Sequence, residues 1–536
     1  MIKSSTRGQP RPLFRGLAGL LALGLVTAAC GDDEVPVVGL VEGFAGVVAA
    51  DEPRAVVIGR DIIGNGGSAV DAAVAMYFTM TVTLPSRVSL AGGGVCLTLD
   101  SQAQEASLIE FLPQAGPSGG VLPLGPRAMA ALHARLGIIR WSEVVIPAEG
   151  LARFGHEVSR AFAKDLIEAR PWLDANPELS ALYRTKDGAL PKEGERIEQF
   201  ELSGVLSGIR VKGAGYVYSG EFARRFVEAA AAAGQTITVD ELWKAVPEVR
   251  APAKVQFGRR ELYFSLPPAD NGLLAAELWQ LVTEVEDYAD ENIGLASHLF
   301  VEAAMRAFAD RDRFLALGTS PDPAEILSEA HLEQVMADYD PARHTPADRL
   351  PNPPYPVAEV PYGAGLVAGD QYGNAIACSF TNNGLFGSRR VAPGTGIVMP
   401  AVPGPASNGV LAPSVAVYGN VESGEGYSAV AASGGAEAPT ALVQVLLGLL
   451  ALEQDAKSAV ARSRLHHGGA PDVVLYEAEV PEPVREALRV RGHRLELKAR
   501  IGRVNAFHCP NGLTDDVDLC LAASDPRGYG LAATAR

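Results

Sequence analysis

Apolar residues recur at helical spacing over Ala55–Ile63, and the run stops at Gly64-Asn65-Gly66-Gly67. Ser68 stands at the cap position of a second helix, Ala69–Thr79, built from Ala and Val. Gly92-Gly93-Gly94 leads into a strand, Val95–Asp100, and Ala106–Phe111 is its pairing partner. Helical periodicity returns at Arg127–Leu136, at Ser142–Ala152, through the polar stretch Ser159–Phe200, and at Gly220–Gly234. Thr238-Val239-Asp240-Glu241 opens another helix with the residues of a capping box. Lys254–Leu266 alternates as strands do. Gly272–Glu284 and Leu295–Phe308 are apolar enough to be buried helices, and Pro321–Asp338 holds a further helix pair.

Asp340–Pro361 is dense in proline and predicts an extended linker. Beyond it the pattern shifts toward strands: a hairpin over 363–383, then 394–399, 414–418 and 426–432, followed by a helix at Ala438–Leu452. In the hairpin, Leu366–Ala368 and Ala375–Phe380 are the apolar arms. Asp370-Gln371-Tyr372-Gly373-Asn374 supplies the turn. There is no internal repeat. A mixed, helix-rich portion therefore precedes a sheet-rich one.

Composition changes this picture little. The 536 residues are 48% hydrophobic and 20% charged, as expected of a globular chain with a large core. The net charge of -17, with no basic stripe, argues against nucleic acid as a partner. The N-terminus changes more. Lys3, Arg7, Arg11 and Arg15 precede an apolar segment, Leu17–Val26, too short to span a bilayer comfortably. It ends Thr27-Ala28-Ala29-Cys30, small residues directly before a Cys, as in a bacterial lipoprotein signal. Residues 1–29 are then the signal peptide, Cys30 the lipidated residue and 30–42 a tether. The expected partner is a membrane, held through the lipid on its periplasmic side or at the cell surface. An ordinary signal peptide cut near Ala29 is the alternative.

Four cysteines remain. Cys509 and Cys520 flank a polar loop and form a possible disulfide in an exported chain. Cys96 and Cys378 sit in apolar strands and are expected as buried free thiols. No pair has zinc-ligand spacing, the nine His are scattered apart from His466-His467, and neither metal nor cofactor is expected.

Short motifs carry little chemistry here. Gly64-x-Gly66-x-x-Ala69 follows a helix instead of a strand, so it is no dinucleotide fingerprint. Gly116-Pro117-Ser118-Gly119-Gly120 matches G-x-S-x-G but lacks the strand before it and the helix after it that an elbow requires. His466-His467 lies near a helix end and suits structural hydrogen bonding. Ser433-Gly434-Gly435, between a strand and a helix, suits either an anion or a tight turn.

Several blocks together resemble the γ-glutamyltransferase (γ-glutamyl transpeptidase) family, over nearly the whole chain after about Gly43. They are Asn65–Ala75, Ala91–Gly94, Trp141-Ser142-Glu143, Leu266-Pro267-Pro268, Phe308-Ala309-Asp310-Arg311, Asp370–Ala375, Arg462–His467 and Ala523–Arg527, in the family's order. The resemblance implies an α+β fold, the four-layer αββα N-terminal-nucleophile hydrolase sandwich. Residues 43–345 would form a large-subunit-like region and 363–536 a small-subunit-like region of one sandwich, joined by a linker at 346–362. It also implies a precursor that cuts itself before a Thr. That Thr then attacks γ-glutamyl amides such as glutathione, with its own α-amine as base.

The chemistry does not carry over with the blocks. Counting back from Gly373-Asn374 places Gly363 at the nucleophile position, and residues 346–377 contain no Ser, Thr or Cys. Leu112, after Phe111, stands where an Arg pairs with the substrate carboxylate. Gly409 and Val410 stand where two Ser would hold it, and Pro405 near where an Asp would take the amine. Thr381, Asn383, Gly434 and Gly435 remain as a vestigial site. The expectation is an unprocessed envelope lipoprotein with little or no γ-glutamyl transfer or hydrolysis, acting as a binding or scaffold protein for an unknown small ligand. The alternative is an active γ-glutamyltransferase or acylase-type amidohydrolase whose nucleophile is unidentified, with Cys378 and Ser379 the nearest candidates. A hydrolase using Ser118 is a third option.

Overall fold

The computed structural model describes residues 43–536 except 186, 268, 286–287, 289–291, 318–321, 352, 355–361, 403–413, 421 and 516. The signal peptide, tether and Cys30, the last part of the linker, and Pro405, Gly409 and Val410 lie outside the described residues.

Two antiparallel sheets stack on each other. The first has seven strands in the order Leu531–Ala535, Gly46–Ala50, Ala364–Asp370, Ala375–Thr381, Gly93–Asp100, Glu105–Glu110 and Glu248–Arg250. The second has six, in the order Leu521–Ala523, Arg503–His508, Glu425–Ser433, Ser414–Asn420, Arg260–Phe264 and Ala253–Phe257. Successive side chains on a strand point to opposite faces, and here both faces are buried. Val47, Ala49, Val95, Leu97, Val367 and Ala377 meet Val415, Val417, Ala429 and Ala431 between the sheets. The alternate set, Val48, Ala50, Leu366, Ala368, Ile376 and Phe380, packs against the first-sheet helices. Ala416, Val430 and Ala432 do the same on the far side of the second sheet. Double burial is why these strands read as unbroken apolar runs.

Helices Pro53–Gly64 and Ala69–Thr83 cover the first sheet; Asp270–Gln280, Ile293–Leu317 and Ala438–Leu446 cover the second. The result is an α+β, four-layer αββα sandwich, the architecture that the resemblance implied. Among the described residues no helix is long and apolar enough to cross a membrane.

The hairpin forms as its sequence predicts. Its turn is fixed by Asp370, whose carboxylate accepts from the backbone N–H groups of Tyr372 (2.9 Å) and Asn374 (3.1 Å). The same carboxylate accepts from Ala69 N–H (2.8 Å) at the N-terminus of Ala69–Thr83, which ties the hairpin to that helix. Burial pushes the Asp370 carboxyl up, against these donors. The expected Thr238–Glu241 capping box is present, and the expected Ser68 cap proves to be a capping box as well, with Asp71.

Several expectations change. Cys96 and Cys378 are not free thiols: they face each other directly across adjacent strands, Cα atoms 4.1 Å apart, and are joined in a disulfide. Cys509 and Cys520, in contrast, are bonded to each other as the sequence suggested. The helical stretch drawn to Phe200 breaks into Arg160–Glu168, Arg170–Ala175 and Pro177–Tyr183; a short strand, Arg196–Ile197, and a separate helix, Phe200–Lys212, follow. The helices drawn to Glu284 and Leu452 end at Gln280 and Leu446 and continue as single π-turns.

Candidate functional site

Gly363 lies at the entry to the central strand Ala364–Asp370, and the backbone is held on both sides of the 362–363 peptide. The Tyr362 carbonyl accepts from Thr381 Oγ1 at 3.3 Å, and the Gly363 carbonyl from Arg503 Nη2 at 3.1 Å. A Cβ placed on Gly363 would lie 2.8 Å from the Phe380 carbonyl oxygen and 3.4 Å from Ser433 Cβ. The first contact is with backbone, so a side chain fits only if the strand entry moves. Just inside, Asp51 accepts from Gly365 N–H at 2.9 Å and Asn505 Nδ2 at 3.0 Å, with Ser433 Oγ 3.5 Å away.

A pocket of about 340 Å³ opens beside this point, between Tyr362, Ser433, Gly434 and Arg503. Its far wall is an ion pair: Arg87 Nε and Nη2 each donate to Asp165 at 2.7 Å. The Tyr362 hydroxyl bonds Glu168, and burial together with that carboxylate pushes the phenol up to about 12. Arg527 is gripped by Glu477 and Asp525. Glu437 takes Lys498 and the Gly502 N–H (3.0 Å). Arg503 differs. Among the described residues no carboxylate pairs with it, and its Nε is buried without a partner. Burial and the neighbouring Arg87 push its guanidinium down to about 10.

The sequence pattern that defines gamma-glutamyltranspeptidases matches residues 55–119, 112–401 and 407–535. The chain belongs to this family. It is 26% identical to a glutathione hydrolase proenzyme of Pseudomonas aeruginosa over 544 aligned residues, covering 91% of this chain and 94% of that one. It is 25% identical to an acylase ACY 1 proenzyme of a Pseudomonas species, covering 87% and 90% of the two chains. The crystal structure of a cephalosporin acylase from Bacillus halodurans superposes with a TM-score of 0.77 at 21% identity, over 91% of this chain and 96% of the other, and so shares its fold.

In this gamma-glutamyltranspeptidase homologue the residues expected at the site gather only in part. Thr381 reaches the 362–363 peptide, and Gly434, at φ +136°, lines the pocket. Asn383 turns away: its Nδ2 donates to the Pro113 and Ala401 carbonyls at 3.4 and 3.2 Å. The Gly435 carbonyl accepts from Asn271 Nδ2 at 3.4 Å. Leu112 is buried between the sheets. The alternative nucleophiles are engaged elsewhere. Cys378 is oxidised, Ser379 Oγ donates to the Ala432 carbonyl at 3.0 Å, and the Ser118 N–H caps onto Glu241 at 2.7 Å.

Sequence reasoning missed the charged half of the pocket. Asp51 follows a strand, Gly46–Ala50, that the pattern did not predict, and Arg87 and Arg503 belong to no motif. It also missed a buried histidine cluster. His298 Nδ1 and His493 Nε2 are 2.8 Å apart, and the His298 Nε2–H donates to the Asp340 carbonyl at 2.9 Å. His344 bridges Glu302 (2.6 Å) and Asp472 (3.1 Å), and His467 also meets Asp472 at 3.1 Å. Donor atoms of His298, Glu302 and His493 lie within 4.8 Å of one another, a metal-like spacing. Arg306 and His344 already occupy the two Glu302 oxygens, so the arrangement works as an ion-pair network.

Proposed function

We propose that this family member remains a single unprocessed chain with little or no γ-glutamyl transfer or hydrolysis, and serves as a binding protein at the cell envelope. The observation that carries this is Gly363. It has no hydroxyl to attack the preceding carbonyl, and the Phe380 carbonyl occupies the space its side chain would need. The loss extends to recognition, since Leu112 cannot pair with a carboxylate. A γ-glutamyl zwitterion would forgo a buried charge partner there, worth about 2–5 kcal/mol when truncated.

On a denaturing gel the purified chain is expected as one band, and a γ-glutamyl anilide is expected to be turned over no faster than by a mock purification. Two fragments split near residue 363 would sink the single-chain proposal. A second reading has one observation in its favour. Ser433 Oγ lies in the same pocket beside Asp51, and relatives are named as glutathione hydrolase and acylase proenzymes. It would be an amidohydrolase acting on γ-glutamyl compounds such as glutathione. Turnover that disappears on Ser433→Ala would establish it in place of the first.

The chain is further proposed to be exported and anchored by a lipid on Cys30, on the strength of the charged, apolar and small-residue order before that Cys. Cys30→Ala should move the protein from the membrane to the soluble fraction. An unchanged distribution would refute the anchor.

A further inference from the structure

Two neighbouring helices turn apolar side chains to solvent. Trp141–Phe154 and Phe200–Lys212 lie antiparallel: Gln199 N–H donates to the Ala152 carbonyl at one end, and Trp141 Nε1–H to the Ile209 carbonyl at the other, both at 2.9 Å. Their inward sides, with Val144, Val145, Ala148, Leu202, Val205 and Leu206, fill the core over the first sheet. Outward, Ile146, Gly150 and Phe154 form one stripe at helical spacing, and Phe200, Gly204 and Val211 another. Phe200 is 76% exposed and Phe154 68%, and Ile138, just before the first helix, is exposed too. A Cβ on Gly150 or Gly204 would meet nothing within 4 Å, so the space in front of both stripes is open. Single apolar residues on a surface are ordinary, but such a group on adjacent helices marks a surface that is covered in use.

The rim of this face offers little net charge. Arg140 pairs with Glu143 and Arg153 with Glu149, while Lys212 and Glu201 stand exposed on the second helix. An apolar phase suits it better than a charged partner. The tether points to which one. The Ala45 carbonyl accepts from Gln371 N–H at 3.0 Å, the Asp370 carboxylate from Ala69 N–H at 2.8 Å, and the Asp71 carboxylate from Ile138 N–H at 2.9 Å. Three hydrogen bonds and runs of at most three residues thus link the place where the tether joins the fold to the edge of the apolar face. Residues 30–42 span at most about 45 Å when fully extended, so a bilayer that holds a lipid on Cys30 is within reach of this face.

We propose that this face seats on the lipid bilayer, with Phe154 and Phe200 entering the headgroup layer as the apolar side of an interfacial helix does. The lipid on Cys30 retains the protein, and the helix pair fixes its orientation. The inference rests on the lipid-anchor reading above and adds the protein surface that meets the membrane.

Photolabelling of the full-length lipidated protein in vesicles tests it. The vesicles are phosphatidylethanolamine and phosphatidylglycerol, doped with a phosphatidylcholine that carries a diazirine near the top of its acyl chain, and adducts are mapped by peptide mass spectrometry. Adducts are expected on peptides covering 138–154 and 200–212, besides the acylated N-terminal peptide. Phe154→Ser with Phe200→Ser should lower the helix labelling by about fivefold or more and leave the N-terminal peptide unchanged. Both side chains are mostly exposed, so the core keeps its packing. Val490→Ser, which removes an apolar side chain 75% exposed on another helix, should change nothing. Labelling of the N-terminal peptide alone, labelling spread over every exposed helix, or helix labelling that survives the double variant would each overturn the proposed face and leave the lipid anchor standing. Absence of any acylated N-terminal peptide would overturn the anchor reading and this inference with it. A dimer in detergent that the double variant dissociates would give the face to a second copy and overturn the proposal.

Discussion

Asp525→Ala is expected to cost about 3–5 kcal/mol, the range for removing one partner of a buried ion pair. Asp525 and Arg464 are both buried, with Arg464 Nη2 2.8 Å from Asp525 Oδ2. The same oxygen accepts from Val504 N–H at 2.7 Å, and Oδ1 accepts from Arg527 N–H at 2.8 Å. Arg464 is otherwise held by two carbonyls, Val460 and Ile501, each at 3.0 Å, and its Nε is already buried without a partner. Burial pushes its guanidinium down, and Asp525 opposes that. Without the carboxylate the cation stays buried against carbonyl dipoles, with Glu477 as its remaining acidic neighbour. Stability totals only about 5–15 kcal/mol in most domains, so this loss is a large share. The urea midpoint by circular dichroism reads it, with an unchanged m-value marking a true stability change. Asp525→Asn, which keeps an acceptor for Val504 N–H, should lose less. Arg464→Met with Asp525→Leu should lose less than Asp525→Ala alone, because the buried Arg464 charge goes with its partner and Arg527 keeps Glu477. An Asp525→Ala midpoint equivalent to less than about 1 kcal/mol would contradict the argument. The consequence reaches the pocket, because Gly502, Arg503 and Arg527 form its wall on this network.

What the sequence revealed and what it hid divide along one physical line. Local signals held: the Ser68 and Thr238 caps, the Asp370–Asn374 turn and the apolar arms of the hairpin each depend on residues a few positions apart. Family blocks then located residue 363 within the sandwich. What failed to show depends on register across the chain. Cys96 and Cys378 are 282 positions apart, and only the pairing of their strands makes them partners. Leu531–Ala535, rich in Ala, is an edge strand whose pairing with Gly46–Ala50 decides its state, so propensity was a weak guide. Phe200–Lys212 contains Gly204 and Gly208, unfavourable in a helix, and forms because Leu202, Val205, Leu206 and Ile209 are buried on one side. Of the pocket's charges only Arg527 falls in a family block; those at 51, 87, 165, 168, 437 and 503 form a set without spacing.

Glu302→Ala is the second large effect, again about 3–5 kcal/mol near neutral pH. Glu302 lies one helical turn from both His298 and Arg306 and is fully buried. Burial alone would raise its carboxyl, but His344 and Arg306 hold it down at about 2. Its share of stability is therefore complete above the unfolded carboxylate value, about 4.3, and is lost as pH falls toward 2. His344 behaves oppositely. Burial lowers it, yet Glu302 and Asp472 raise it overall, so its contribution is complete below about 6.5 and fades as pH rises through the folded value. His493, pushed down to about 3 by burial and by His344, adds a second acid-side loss, because the unfolded chain takes up its proton below about 6.5. Wild-type stability should thus fall on both sides of a maximum. In Glu302→Ala the gap to wild type should be widest near neutrality and shrink below about pH 4 as the wild-type carboxylate protonates. The alkaline decline should flatten too, since His344 keeps only Asp472 as an acidic partner. Urea midpoints from pH 3 to 9 read both limbs. A gap that stays constant across that range would mean the charge on Glu302 does not stabilise the fold. Asp472 also accepts from Ala347 N–H at 3.0 Å and pairs with His344, so the same variant should loosen the chain around residues 344–347.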